Sequence, residues 1–253
     1  TAADGSSLQL QYVAPPNSAP TWSGATIAKA AATEGAAYAA SLAADASDID
    51  ADVLSFAIVS GPAWLSVAAD GSLSGTPGSS DVGVNQFTVS VRDGSSPAVE
   101  ATVAITVRTA FDGWVATHGS GATFAGDANG DGVADGLAWL LGVSTPGALA
   151  NSLLPSTSAS NGEFVLNFRL RKAVARGAAQ LVLQTSWDLG QNDPWGDHSV
   201  TVPDVSSTLD GVVFTITPVV GQDYNQVQAT VPASAAGGSG RLFVRLSGEA
   251  PAP

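Results

Sequence analysis

Apolar and polar residues alternate at spacing two along most of this chain, in short runs bounded by Gly, Pro, Asn, Asp and Ser, the pattern of half-buried strands. Leu8, Leu10 and Tyr12 open the series. Pro15-Pro16 closes that first run, because proline has no amide to give to a ladder. Further runs fall at Thr26–Ala31, Tyr38–Leu42, Leu54–Ser60, Leu65–Val67, Ser72–Ser74, Gln86–Val91 and Val99–Val107. This cadence predicts an immunoglobulin-like sandwich, with Trp64 of Pro62-Ala63-Trp64-Leu65 in its core.

Between Thr109 and Val143 the period changes. Phe111, Trp114, Val115 and His118 share one helical face, and Leu137, Leu140 and Leu141 repeat the spacing after Asp135, a residue suited to an N-cap. Alternation resumes beyond a Ser/Asn-rich loop at 151–162, in Glu163–Leu170, Ala179–Trp187, Ser199–Val202, Val212–Thr217, Gln226–Val231 and Arg241–Leu246. These runs predict a second sandwich, one strand or two short of the usual complement, with an edge open to a strand from elsewhere. The expected fold is therefore mainly β: two immunoglobulin-like β-sandwich domains joined by a short helical connector that carries an EF-hand-like loop. The divisions fall at 1–16 (strand and Pro linker), 17–108 (first sandwich), 109–150 (connector) and 151–253 (second sandwich).

Composition narrows the function. The 253 residues include no Cys and no Met, which excludes disulfide frameworks, thiolate metal sites and cysteine nucleophiles. The absent Met at position 1 suggests a chain cut from a longer precursor after removal of a targeting segment. Hydrophobic content of 45% beside 12% charge indicates folded material. Against 22 acidic residues stand 9 basic ones, a formal charge of −13, which argues against a nucleic-acid partner because phosphate binding is built from Lys and Arg. The longest uncharged span, Gly136 to Gly162, is interrupted by Pro146, Asn151 and Pro155, so no membrane span is expected.

The acids are clustered. Asp45, Asp48, Asp50 and Asp52 crowd one inter-strand loop, an arrangement that repels itself unless a cation neutralises it, and hard oxygen ligands favour Ca²⁺. The alternative is a solvated loop that tolerates the repulsion. Asp93, ending the Gln86–Val91 run, is placed to reach the same end of the sandwich. A second cluster, Asp127-Ala128-Asn129-Gly130-Asp131-Gly132-Val133-Ala134-Asp135, offers oxygens at loop positions 1, 3, 5 and 9, Gly at 6 and the Val133 carbonyl at 7, as in an EF-hand. Position 12 is Ala138, so that loop lacks its usual last carboxylate. Here the alternative is an Asp/Gly-rich turn in which Asp135 only caps a helix.

These motifs carry a family resemblance. Asn17-Ser18-Ala19-Pro20, Glu34-Gly35, Asp48-Ile49-Asp50-Ala51-Asp52, Pro62-Ala63-Trp64-Leu65, Gly71-Ser72-Leu73-Ser74-Gly75-Thr76-Pro77 and Val91-Arg92-Asp93-Gly94 make residues 17–108 similar to a dystroglycan-type cadherin-like, immunoglobulin-like repeat. That resemblance implies Ca²⁺ held by Asp48, Asp50 and Asp93, helped by Asn17. Residues 111–247 resemble the C-terminal module of large secreted bacterial surface proteins, in which a dockerin-like loop and short helix precede a β-sandwich. The matching elements are Phe111-Asp112-Gly113-Trp114, Asp127 to Gly142, Gln184-Thr185-Ser186-Trp187-Asp188-Leu189 and Arg241-Leu242-Phe243-Val244-Arg245-Leu246. This second resemblance implies secretion by a bacterium and display outside the cell or on its surface. A dockerin carries two such loops and this chain has one.

No catalytic constellation accompanies His118 or His198: there is no Gly-x-Ser-x-Gly elbow, His-Glu-x-x-His helix or phosphate-cradling loop. Ser186-Trp187-Asp188-Leu189-Gly190 opens like a sialidase Asp-box, but Trp195 follows two residues too late, and the match is read as chance. The chain is thus expected to be a non-catalytic, secreted, Ca²⁺-binding surface or structural protein that adheres to other surface proteins or self-associates. In a fibre, the Leu8, Leu10, Tyr12 strand would add to a neighbour's sheet. The alternative is a carbohydrate-binding accessory module of a larger secreted glycoside hydrolase, contacting polysaccharide through Trp187, Trp195 and Tyr224, although aromatics in strands more often belong to a core.

Overall fold

The computed structural model describes residues 16–118, 121–160, 162–239 and 241–251. The expected assembly strand through Leu8, Leu10 and Tyr12 lies outside them. Strands β1 (Thr21–Trp22), β2 (Thr26–Ala28), β3 (Ala32–Thr33), β4 (Tyr38–Ser41), β5 (Ala46–Ser47), β6 (Ser55–Ser60), β7 (Leu65–Val67), β8 (Ser72–Gly75), β9 (Gly83–Arg92) and β10 (Val99–Arg108) come first. Helices α1 (Ala110–His118) and α2 (Asp135–Leu140) follow. Then come β11 (Ser156–Ser160), β12 (Glu163–Arg171), a helical turn at Ala173–Arg176, β13 (Gln180–Ser186), β14 (Ser199–Thr201), β15 (Ser207–Leu209), β16 (Val212–Pro218), β17 (Tyr224–Val231) and β18 (Phe243–Glu249).

In the first β region one sheet runs β2-β10-β9-β6, with β3 also on β10, and another runs β4-β8-β7. Alternation explains the pairing surfaces: Phe87, Val89 and Val91 on β9 and Val103, Ile105 and Val107 on β10 are all buried. Trp64 is half-buried rather than central, and meets the buried Phe87 edge to face with ring centroids 5.4 Å apart.

The second β region has sheets β11-β12-β17-β16-β15 and β14-β13-β18. The expected shortfall of strands is corrected here, because β11 and β15 add to the runs read from the sequence. Apolar alternation could not reveal β11, which is Ser-Thr-Ser-Ala-Ser. The described residues fall into two compact units, one drawn from the segments up to Lys29, Ala39–Ser74 and Gln86–Ala104, the other from Ala30–Tyr38, Gly75–Asn85 and the segments from Ile105 onward.

The segment 109–150 is not a free-standing connector. Phe111 of α1 and Trp139, Leu140 and Leu141 of α2 and its end are buried in one cluster with Phe168, Leu181, Leu183, Phe214 and Val227 of the C-terminal sheets. Buried Arg171 at the end of β12 fastens α2 down: its Nε donates to the Trp139 carbonyl (2.9 Å), its Nη2 to the Val143 carbonyl (3.0 Å), and it pairs with Asp223. Burial lowers the guanidinium pKa to about 10, so it stays charged at neutral pH. Buried Glu34 satisfies the other helix, its Oε1 accepting from the Ala110 amide at 2.9 Å where α1 begins. His118 ends α1 with its Nδ1 donating to the Trp114 carbonyl (2.7 Å), a local role consistent with its lying on the Trp114 face.

Candidate metal centre and binding cleft

The first acidic loop follows β5. Asp48, Asp50 and Asp52 present carboxylate oxygens that all lie within 4.8 Å of one another. Backbone amides from within and outside the loop hold this form: Asp48 Oδ1 accepts from the Asp50 amide (2.8 Å), and Asp50 Oδ2 accepts from the Ser18 amide (2.7 Å). Asp48 Oδ2 is buried without a hydrogen-bond partner. Such an oxygen is costly to leave bare, and a hard cation held there would satisfy it while relieving the repulsion.

Asp45 and Asp93 do not join this group of three. Asp45 is neutralised by Lys29. Asp93 accepts from the Ser95 and Ser96 amides through Oδ1 (2.8 and 2.7 Å) and from Asn17 Nδ2 through Oδ2 (2.8 Å). The Ser96 amide above all, with the Asn17 side chain and the Ser95 amide, holds its carboxyl well below the usual carboxylate range despite the opposing effect of burial. Asn17 thus bonds directly to Asp93, and the next residue, Ser18, bonds to Asp50.

The second acidic loop, 127–135, curls on Gly130 (φ 70°) and Gly132 (φ 83°), left-handed positions suited to glycine. Its carboxylates turn inward onto amides. Asp127 accepts from Asp131 N (3.1 Å) and Gly132 N (2.9 Å), and Asp131 accepts from Val133 N (2.9 Å) and Ala150 N (2.7 Å). Asn129 Oδ1 accepts from Asp131 N (3.1 Å). The Ala150 amide first, then the Val133 amide and Asn129, keep Asp131 below the ordinary carboxylate range. Asp135 is not the expected N-cap. Ala134 occupies that position, and buried Asp135, the first helical residue, reaches back to the Ala128 amide, joining loop position 9 to position 2. Ala138, at position 12, is buried with Val133, Val143 and Ala150 and supplies packing.

The three aromatic residues expected at a sugar surface do not share one. Tyr224 pairs with Arg171 at the α2 end of the second β region, and the Arg169 guanidinium lies over its ring at 4.6 Å. Trp187 follows the opposite end of β13. Trp195, in the turn Trp195–His198, is half-buried beneath the Arg245 guanidinium (4.5 Å), with its indole against Gly190. Only Trp187 of the three lines the cleft of about 500 Å³ at that end, which it shares with Asp197, His198 and Asp210. The sequence reading missed these three as a group. Asp210-Gly211 between alternating runs is a hairpin signal, and both residues do take positive φ (49° and 79°), as a type I′ turn requires.

The segment that opens like an Asp-box forms a self-bonded turn. Asp188 accepts from the Gln191 (3.0 Å) and Asn192 (2.6 Å) amides, and Ser186 Oγ accepts from the Gly190 amide (2.8 Å).

A family model described as "Putative Ig domain" matches residues 15–108. No curated protein matches the chain. Among solved structures, the chain is similar to the endo-fucoidan hydrolase MfFcnA9 from glycoside hydrolase family 107 (30% identity, 38% of this chain and 17% of that one, TM-score 0.33). It is also similar to the endo-fucoidan hydrolase MfFcnA4 of the same family (16% identity, 90% and 28%, TM-score 0.37). Extracellular cadherin domains 3–6 of protocadherin gamma B2 match at 7% identity over 84% of this chain and 38% of theirs, with a TM-score of 0.29. The chain spans less than half the length of each of these structures. No helix among the described residues is long and apolar enough to cross a membrane. The fold is mainly β, with an immunoglobulin-like domain in residues 15–108.

Proposed function

We propose that this chain is a non-catalytic, Ca²⁺-binding surface or structural module of a secreted bacterial protein, serving adhesion or self-assembly. The observation that carries the reading is the convergence of Asp48, Asp50 and Asp52 within 4.8 Å around a buried, unpartnered Asp48 oxygen. A bound Ca²⁺ would tie the chain entering at Ser18 to the loop through Asp50. The dockerin-like loop 127–135 provides a second position, with Asp127, Asn129, Asp131, the Val133 carbonyl and Asp135 as ligands. It is the weaker of the two, because it lacks a carboxylate at Ala138 and because an ion would have to share or displace the amide bonds to Asp127 and Asp131. Self-assembly would proceed by strand addition, the Leu8–Val13 run pairing along the edge of a neighbour's β18, which ends its sheet.

Titration calorimetry with Ca²⁺ after chelator treatment tests the metal reading. Heat of binding at one tight and one weaker position is expected, and no heat at all would overturn it. Removal of residues 1–14 should abolish higher assemblies seen by electron microscopy, and unchanged assembly would reject the strand-addition route.

A further inference from the structure

The cleft beside Trp187 has a floor and a rim of different chemistry. Its floor is the core itself, the buried Leu183 of β13 and Val212 of β16. Its rim carries the carboxylates of Asp197 and Asp210, both exposed, and the His198 imidazole. Trp187 stands there with 38% of its surface open.

The rim is braced from beneath by one buried carboxylate. Asp193 is 6% exposed, and its two oxygens hold two of the lining residues: Oδ2 accepts from the Trp187 amide at 2.8 Å and Oδ1 from His198 Nε2 at 3.0 Å. An indole kept exposed while its backbone is clamped to a buried carboxylate is a pre-organised contact surface.

We propose that this cleft binds a neutral oligosaccharide. The volume of about 500 Å³ lies within the range of built ligand sites. Among the described residues no Lys or Arg lines it, so a sulfated or uronic glycan would meet two carboxylates without a Lys or Arg to offset them. A neutral sugar uses both chemistries present: its apolar ring face lies on Trp187 and the aliphatic floor, and its hydroxyls donate to Asp197 and Asp210. A purely cationic ligand would use the carboxylates and leave the apolar floor unmatched. The inference is independent of the Ca²⁺ reading, because none of the proposed metal ligands lines the cleft.

The test is calorimetry on the full chain with cello-, xylo-, laminari- and malto-hexaose, beside a sulfated polysaccharide, a polyuronate and a Lys-rich peptide, each with Ca²⁺ and with chelator. At least one neutral series should bind equally in both buffers. Trp187→Ala should weaken that binding at least tenfold, and Asp197→Arg, an exposed change that crowds the rim, should do the same. Tyr224→Ala, at the far end of the region, should leave it unchanged. Binding by none of the neutral sugars, binding confined to the anionic polymers or the peptide, or binding that survives both cleft variants would overturn the proposal. Ca²⁺ heats recorded on the same samples report separately on the metal reading.

Discussion

The two acidic loops are built from nearly the same spacing, Asp48, Asp50, Asp52 against Asp127, Asn129, Asp131, and they balance their charge to different extents. In 127–135, two glycines let the backbone curl so that its amides point at the carboxylates, which are satisfied without any ion. In 48–52 the turn is made by Ala51 at φ 60°, a strained angle for a residue with a Cβ; amides reach Asp48 Oδ1 and Asp50 Oδ2, yet the three carboxylates still converge and Asp48 Oδ2 is left bare. Spacing alone therefore does not define a cation site. What matters is whether backbone amides reach every converging carboxylate oxygen, as they do in 127–135, or leave one buried and bare, as at Asp48 Oδ2.

That contrast can be broken at the glycines. Gly130→Ala with Gly132→Ala forces two side chains into the left-handed region although neither Cβ meets a neighbour, so strain alone should destabilise the loop by about 2–4 kcal/mol. Thermal melting checks it. In the other loop, Ala51→Gly removes strain but adds unfolded-state freedom, for a net gain of up to about 1 kcal/mol.

Charge neutralisation sharpens the comparison because the two signs differ. Without Ca²⁺, Asp127→Asn should lower stability by about 0.5–1 kcal/mol by weakening bonds to the Asp131 and Gly132 amides. Asp52→Asn should raise it slightly by removing one of three mutually repelling charges. Equal signs in chelator-treated melts would contradict the distinction.

Acid provides the smallest effect. Asp93 and Asp131 both have folded pKa values below the ordinary 3.8. Their contribution is complete above that unfolded value and is lost as pH falls through the depressed folded ones. Melting temperature should therefore begin to fall as pH drops below the ordinary Asp range. Asp131→Asn and Asp93→Asn should each flatten the fall, and an unaltered acid limb in both would reject these hydrogen-bond assignments.

Most of the strands were legible because one face of each is apolar. Phe87, Val89 and Val91 announce β9, and Phe164, Leu166, Phe168 and Leu170 announce β12. The two-residue strands β1, β3 and β5 are too short to display a period, and β11 has no apolar alternation to show. The α1 and α2 faces were visible in the sequence, but their burial among the C-terminal sheets was not, since Trp139 and Phe168 meet only through the tertiary fold.

The sites divide the same way. Both acidic loops are local in sequence and could be read directly. That Asp45 is neutralised by Lys29, that Asp93 is already bonded by amides, and that Tyr224 lies at the far end from Trp187 depend on pairing register, which composition does not encode. The cleft gathers Asp197, Asp210 and Trp187 from three separate stretches, so only the hairpin signal of Asp210-Gly211 hinted at it.

The most direct test of the account is the Ca²⁺-induced change in melting temperature of the wild type and of the Asp50→Asn/Asp52→Asn variant. At a Ca²⁺ concentration about 100 times the dissociation constant, the ion should stabilise the wild type by about 2.7 kcal/mol, a shift of roughly 5–10 °C. In chelator the variant should melt close to the wild type, the relieved repulsion offsetting the weakened Ser18 bond at position 50, and in Ca²⁺ it should lose most of that shift. A full shift in the variant, or none in the wild type, would contradict a cation site at Asp48, Asp50 and Asp52.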